Sequence, residues 1–165
     1  MLHPEHVILE KLEEAQVLGV FLKYCERYST PSDLQKLRNI YFRTNNPVNT
    51  TKAIATRDFD ADLTLESAQR LHELVMAHLK KTNYRRQIPI IERNQLLKKQ
   101  DYKCAICNHP IDMHAHADHI VPFKYVGDEL DDNLQMLCSE CNTKKNASLF
   151  FQINYFLGLT YRKEK

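Results

Sequence analysis

Four of the five cysteines fall into two C-x2-C pairs, Cys104/Cys107 and Cys138/Cys141. In a reducing compartment such paired knuckles are zinc ligands before they are disulfides. Four thiolates meet the tetrahedral demand of Zn²⁺ and leave no open position, which marks a structural ion rather than a catalytic one. The alternative is four unliganded buried cysteines, an arrangement that chance rarely produces. His109 follows the first knuckle and competes for the ion, but four cysteines already suffice. The fifth cysteine, Cys25, lies on an apolar helical stripe and is read as a core residue.

Residues 108–137, 30 in all, separate the two pairs, whereas a bare zinc ribbon needs roughly 15–20. The excess holds His114, His116, Asp118, His119, Ile120, Val121 and Pro122, then a loop with Gly127, then Asn133. Asp118 is a hard oxygen ligand of the kind that suits Mg²⁺. Beside it, His119 can take a proton from water if its other ring nitrogen is occupied. Of Asn133 and Asn142, one can fix a backbone or an imidazole and the other can offer a carbonyl oxygen to a cation. A lone Asp-His pair is most often a surface hydrogen bond. This one sits inside the cysteine bracket, ahead of two asparagines, and is a candidate for chemistry. Cys138, Asn142 and Lys145 follow at helical steps of four and three, so a knuckle gripping that helix would fix where Asn142 points. The coarse reading is strand, loop, strand, helix.

At these residues the sequence resembles the HNH, or ββα-metal, nuclease family in its variant with two C-x2-C knuckles. Cys104-Ala-Ile-Cys107, Asp118-His119-Ile120-Val121-Pro122, Asn133-Leu-Gln-Met-Leu-Cys138 and Cys138-Ser-Glu-Cys141-Asn142-Thr-Lys-Lys145 occur in the family's order. The resemblance covers roughly residues 88–148. It implies that His119 is the general base, Asp118 a ligand of the catalytic metal, and Asn133 the asparagine that orders the loop and the base. Asn142 falls where the family places its last metal ligand, often histidine. Its amide oxygen is the harder donor and tilts the site toward Mg²⁺ or Mn²⁺. Two further departures are the single Gly127, where two glycines are common, and the extra histidines His114 and His116. Strand alternation would put these two on one face with Asp118; His116 could there approach the metal or a phosphate, but the favoured reading is a histidine that faces solvent or supports the ligands from behind.

The implied reaction is metal-assisted hydrolysis of phosphodiester bonds, leaving 5′-phosphate and 3′-hydroxyl ends. Lys124, Lys144 and Lys145 are candidates to grip flanking phosphates, as are Arg85 and Arg86 in the basic stretch 80–87. DNA is the expected polyanion and RNA the alternative. The family context is restriction, phage defence or a mobile element. A competing reading is a zinc-ribbon module that binds nucleic acid or a partner protein without catalysis.

The elements that must position these groups follow from periodicity. From Pro4 to about Tyr28, Ile8, Leu12, Ala15, Leu18, Leu22 and Cys25 recur at steps of three or four, the mark of a core-facing helix. Ser32 is taken as the N-cap of a second helix carrying Leu34, Leu37, Ile40 and Tyr41. Residues 45–62 carry turn-forming and β-branched residues and read as a loop with a short extended piece. A third helix starts at a Thr64 cap and runs to about Lys81. A short extended lead-in and a helix occupy residues 88–100. The apolar run Ala147–Leu159 reads as a continuation of the last helix, packed on residues 1–80 or on a second subunit. Together with the resemblance, these elements imply an α+β fold, a helical region followed by a zinc-stapled ββα-metal module, divided as residues 1–84 and 85–165. A homodimer or a partner protein would use the N-terminal helices or the C-terminal apolar helix.

Charge divides at the same place, with a net −2 over residues 1–79 and +4 over 80–165. The basic half is the better match for a polyanion. No run approaches the roughly 18 apolar residues of a membrane span. The N-terminus lacks a basic stretch followed by an apolar one, so no secretory signal is expected and the cytoplasm is the default.

The zinc assignment has a direct test. Metal analysis of the purified chain should find one Zn²⁺ held by Cys104, Cys107, Cys138 and Cys141. Structural zinc sites supply roughly 10–16 kcal/mol, comparable to the stability of a whole domain. Cys138→Ser should therefore unfold the C-terminal half, seen as lost helical and near-ultraviolet circular dichroism. An intact fold without zinc would refute it.

Overall fold

The computed structural model describes residues 4–159. Four helices come first: α1 (Pro4–Arg27), α2 (Pro31–Arg43), α3 (Pro47–Phe59) and α4 (Leu65–Lys80). After a linker come α5 (Ile90–Lys99), β1 (His116–His119), α6 (Phe123–Val126), β2 (Leu134–Leu137), α7 (Ser139–Lys145) and α8 (Leu149–Phe156). The α+β expectation holds: a helical region precedes a β-hairpin and a helix. Among the described residues no helix is long and apolar enough to cross a membrane.

Two sequence expectations fail in the helical region for one reason. Proline there begins helices. The second helix is capped by Thr30, whose Oγ1 accepts from the Asp33 amide at 3.1 Å, with Pro31 rather than Ser32 opening it. The segment 45–62, expected to be a loop, is mostly α3. Its N-cap is Asn46, which accepts from the Asn49 amide at 3.1 Å, and Pro47 occupies the first turn. A capping side chain followed by proline is a helix-start signal, because proline's missing N–H is unpaired there anyway. The β-branched residues that argued against a helix are accommodated by packing. Ile54 and Ala55 are buried, and Thr51 is buried with its hydroxyl bonded to the Pro47 carbonyl at 2.9 Å. Asp60, in the left-handed region at φ 53°, ends the helix. The Thr64 cap of α4 is as expected, accepting from the Ser67 amide.

The main core joins Leu18 and Phe21 of α1, Ile54 of α3, and Leu71, Leu74 and Val75 of α4. The same cluster continues into Val121, Val126, Leu149 and Ile153, so α1 and α4 also support the loop after β1 and the last helix. The expected stripe of α1 is only partly buried. Ala15 and Leu18 are inside and Leu22 and Cys25 pack against the core, but Ile8 is 58% and Leu12 46% exposed. At 1.5 Å per residue α1 is about 36 Å long against about 24 Å for α4, and its first turns outrun their support. The C-terminal run forms a helix of its own. Asn146, at φ 48°, breaks α7, and Ser148 caps α8, which packs on α1.

The hairpin is antiparallel, pairing His116 with Leu137, Ala117 with Met136, Asp118 with Gln135 and His119 with Leu134. Gly127, at φ 60°, follows α6 where the loop meets the linker. A Cβ there would lie 3.1 Å from Lys81 Cβ.

Phe21 is fully buried and its ring meets those of His78 and Tyr125 edge-on, at 6.0 and 6.3 Å. Phe21→Ala should cost about 3–5 kcal/mol. Because its contacts lie on both sides of the linker, thermal unfolding should show one lowered transition common to helical and zinc-site probes. Two separated transitions would contradict the shared core.

Candidate functional site

The four predicted cysteine ligands converge. One sulfur from each of Cys104, Cys107, Cys138 and Cys141 lies within 4.8 Å of the others. Cys107 Sγ and Cys138 Sγ are 3.8 Å apart, which is about the edge of a tetrahedron with 2.3 Å Zn–S bonds. The residues fit the ion. Burial opposes ionisation of Cys104, but hydrogen bonds from the backbone of Cys107, Cys138 and Ile106 outweigh it and hold the thiol below its ordinary pKa. The first knuckle is a turn closed by the Cys104 amide on the His109 carbonyl at 2.8 Å, which leaves the His109 side chain exposed. Cys138 is also the N-cap of α7, its sulfur accepting from the Cys141 amide. The knuckle and the helix start are therefore one object.

Next to this cluster, β1 and α7 form the wall of a cavity of about 660 Å³ that Asp118, His119 and Asn142 line together. Asp118 faces Gln135 across the hairpin, and the Gln135 amide donates to its Oδ2 at 3.2 Å. His119 is 3% exposed. Its Nε2 is 2.8 Å from Asp128 Oδ1, and its Nδ1 is buried with no hydrogen-bond partner among the described residues. Phe123 packs edge-on to the imidazole at 5.6 Å. Asn133 lies outside the cavity and braces the loop. Its Oδ1 accepts from the Val121 amide at 2.8 Å, its Nδ2 donates to the Val121 carbonyl at 2.9 Å, and its own carbonyl accepts from the Ile120 amide.

The basic candidates separate. Arg85 and Lys124 are exposed and line the cavity, Arg85 lying 5.7 Å from the Phe123 ring and Lys124 4.9 Å from Tyr125. Arg86 is bound bidentately to Glu92 at 2.6 and 2.7 Å. Lys144 donates to Glu140 at 2.6 Å, an i,i+4 pair on α7. Lys145 corrects its sequence reading. It is fully buried, with Nζ 2.8 Å from Asp118 Oδ2 and donating to the His119 carbonyl at 2.7 Å, so it cannot grip an outside phosphate. The signal was present: Cys138, Cys141 and Lys145 sit at i, i+3 and i+7, the face that the knuckle turns inward. His114 stands in a turn ahead of β1, so only His116 shares the strand with Asp118, and both histidines are exposed.

Asp128 was missed. It lies nine residues beyond His119 in a loop with no periodic pattern, and nothing local marks it. Burial works against its carboxylate. Hydrogen bonds from the Arg86 amide and from His119 outweigh that cost and hold its carboxyl below the usual range.

A carboxylate and an amide side chain on one open wall suit a hard cation that keeps several waters. Residues 104–148 match the family model described as HNH endonuclease. No curated protein and no solved structure gives a significant match to the chain. With the β-hairpin, the following helix and the four clustered cysteines inside the matched stretch, residues 104–148 are an HNH endonuclease domain.

Proposed function

We propose that the protein is a metal-dependent endonuclease that hydrolyses phosphodiester bonds of DNA, acting in restriction, phage defence or a mobile element. The observation that carries this reading is the convergence of Asp118, His119 and Asn142 on one cavity beside the cysteine cluster. In this reading His119 Nδ1, the ring nitrogen with no partner among the described residues, takes the proton of the attacking water. Asn133 keeps the loop after β1 closed, so that His119 stays over the cavity. Asp118 and Asn142 are the ligands of Mg²⁺ or Mn²⁺. Bound there, the cation would neutralise charge developing on a non-bridging phosphate oxygen and the departing 3′ oxygen. Lys145 offsets part of the Asp118 charge, so the pair's hold on a cation is modest and the substrate phosphate completes it, as is usual for Mg²⁺. Arg85 and Lys124, on the cavity wall, hold the flanking phosphates. Residues 1–84 serve as the region that contacts DNA, a partner or a second copy, and residues 85–165 as the nuclease module.

The test is nicking of supercoiled plasmid, with end-group analysis, over a titration of Mg²⁺ and Mn²⁺ against a metal-free control. His119→Ala should keep zinc, fold and DNA binding while cleavage falls about 10²–10⁴-fold. Asn142→Ala should lose activity in a way that high Mg²⁺ or Mn²⁺ partly restores. Wild-type cleavage by His119→Ala, or an unchanged metal dependence in Asn142→Ala, would overturn the roles.

A further inference from the structure

The protein surrounds His119 more completely than a proton acceptor alone requires. Its Nε2 meets Asp128 Oδ1 at 2.8 Å, its carbonyl accepts from Lys145, and its ring lies against Phe123. Asp128 is held in turn. Its Oδ2 accepts from the Arg86 backbone amide at 2.9 Å, and Arg86 Nε lies 3.9 Å from Oδ1. The Arg86 guanidinium is itself fixed by Glu92 in the first turn of α5. A chain of polar contacts thus runs from α5 through the linker to the imidazole.

We infer that Asp128 is a positioning residue, which locks His119 in the tautomer protonated at Nε2 and so leaves Nδ1 as the lone pair that accepts a proton. The inference rests on the reading of His119 as the general base. A neutral imidazole carries one N–H, and an ionised carboxylate only accepts. A 2.8 Å contact between them therefore requires the hydrogen on Nε2. The other tautomer would set two lone pairs against each other at that contact and bury an unpaired N–H at Nδ1, where none of the described residues offers an acceptor. When Nδ1 takes a proton from water, the imidazolium carries the positive charge and Asp128 stays ionised beside it, stabilising that charge without receiving the proton.

The Arg86 amide makes the substitution Asp128→Asn informative. That N–H demands an acceptor, so the new side chain must turn its oxygen toward Arg86 and its NH2 toward His119. A donor then faces Nε2, and the hydrogen is driven to Nδ1. The measurement is long-range ¹H–¹⁵N correlation on the zinc-loaded full chain with labelled histidine, at a pH where the ring is neutral. The His119 signals among the eight histidines are assigned by their loss in His119→Ala. The wild type should show a protonated-type Nε2 and an unprotonated-type Nδ1. Asp128→Asn should reverse or mix the two and lower kcat for nicking about 10²–10⁴-fold, the range of a lost general base, with DNA affinity unchanged. Asp128→Glu, which keeps the charge, should recover part of both. A wild-type His119 protonated at Nδ1 overturns the inference before any variant is made. An unshifted tautomer in Asp128→Asn overturns it whatever the activity. Full nicking by His119→Ala instead overturns the general-base reading, and the spectra still decide whether Asp128 sets the tautomer.

Discussion

Everything in the HNH domain hangs on the meeting of four sulfurs. Two of them arrive on a turn after α5 and two on the first turn of α7. The buried cluster behind them is small: among the described residues, Ile106 and Leu137 join Cys104 and Cys141 in it. A module this small cannot bury enough surface to hold a two-stranded hairpin and a seven-residue helix in register. A four-cysteine cluster consistent with zinc is placed where its coordination would stand in for that burial. It also sets direction. With Cys138 and Cys141 pinned, the face carrying Lys145 turns inward and Asn142 reaches the cavity wall.

A second constraint comes from the helical region. Its core does not stop at the linker but takes in Val121, Val126, Leu149 and Ile153. Val121 is the residue whose two backbone groups Asn133 holds, and it follows His119 by two positions. The placement of the imidazole is therefore set from two directions, by the sulfur cluster through the hairpin and by apolar packing through the loop. Lys145 ties the two together, since its ammonium touches both the Asp118 carboxylate and the His119 carbonyl.

How much of this could be read from the sequence depended on whether partners lay close along the chain. The cysteine pairs, the Asp118-His119 doublet and the Thr64 cap are local patterns with a physical meaning, and the structure reproduces the cluster and the cap. Helix α3 was misread because the β-branched residues of 45–62 were weighed above Asn46-Pro47, although cap chemistry decides where a helix starts and packing decides whether Thr51 and Ile54 stay in it. The inward turn of Lys145 follows from helix arithmetic, since it shares a face with Cys138 and Cys141. Asp128 was beyond reach. Its partners are the Arg86 amide and His119, which share no period and no motif, and only the folded loop brings them together.

The contacts of Asp128 bear on how portable this domain is. The match to the family spans Cys104 to Ser148, and a transplant cut at those limits would carry both knuckles, the hairpin and α7 intact. It would leave behind Arg86, whose amide holds Asp128, and Lys81, against which Gly127 packs. It would also lose Tyr155, whose hydroxyl reaches the Ala105 carbonyl of the first knuckle at 2.9 Å. The boundary drawn by shared sequence is narrower than the set of atoms that keeps the site in shape. In this chain the surrounding helices are part of the HNH domain's own architecture rather than cargo attached to it.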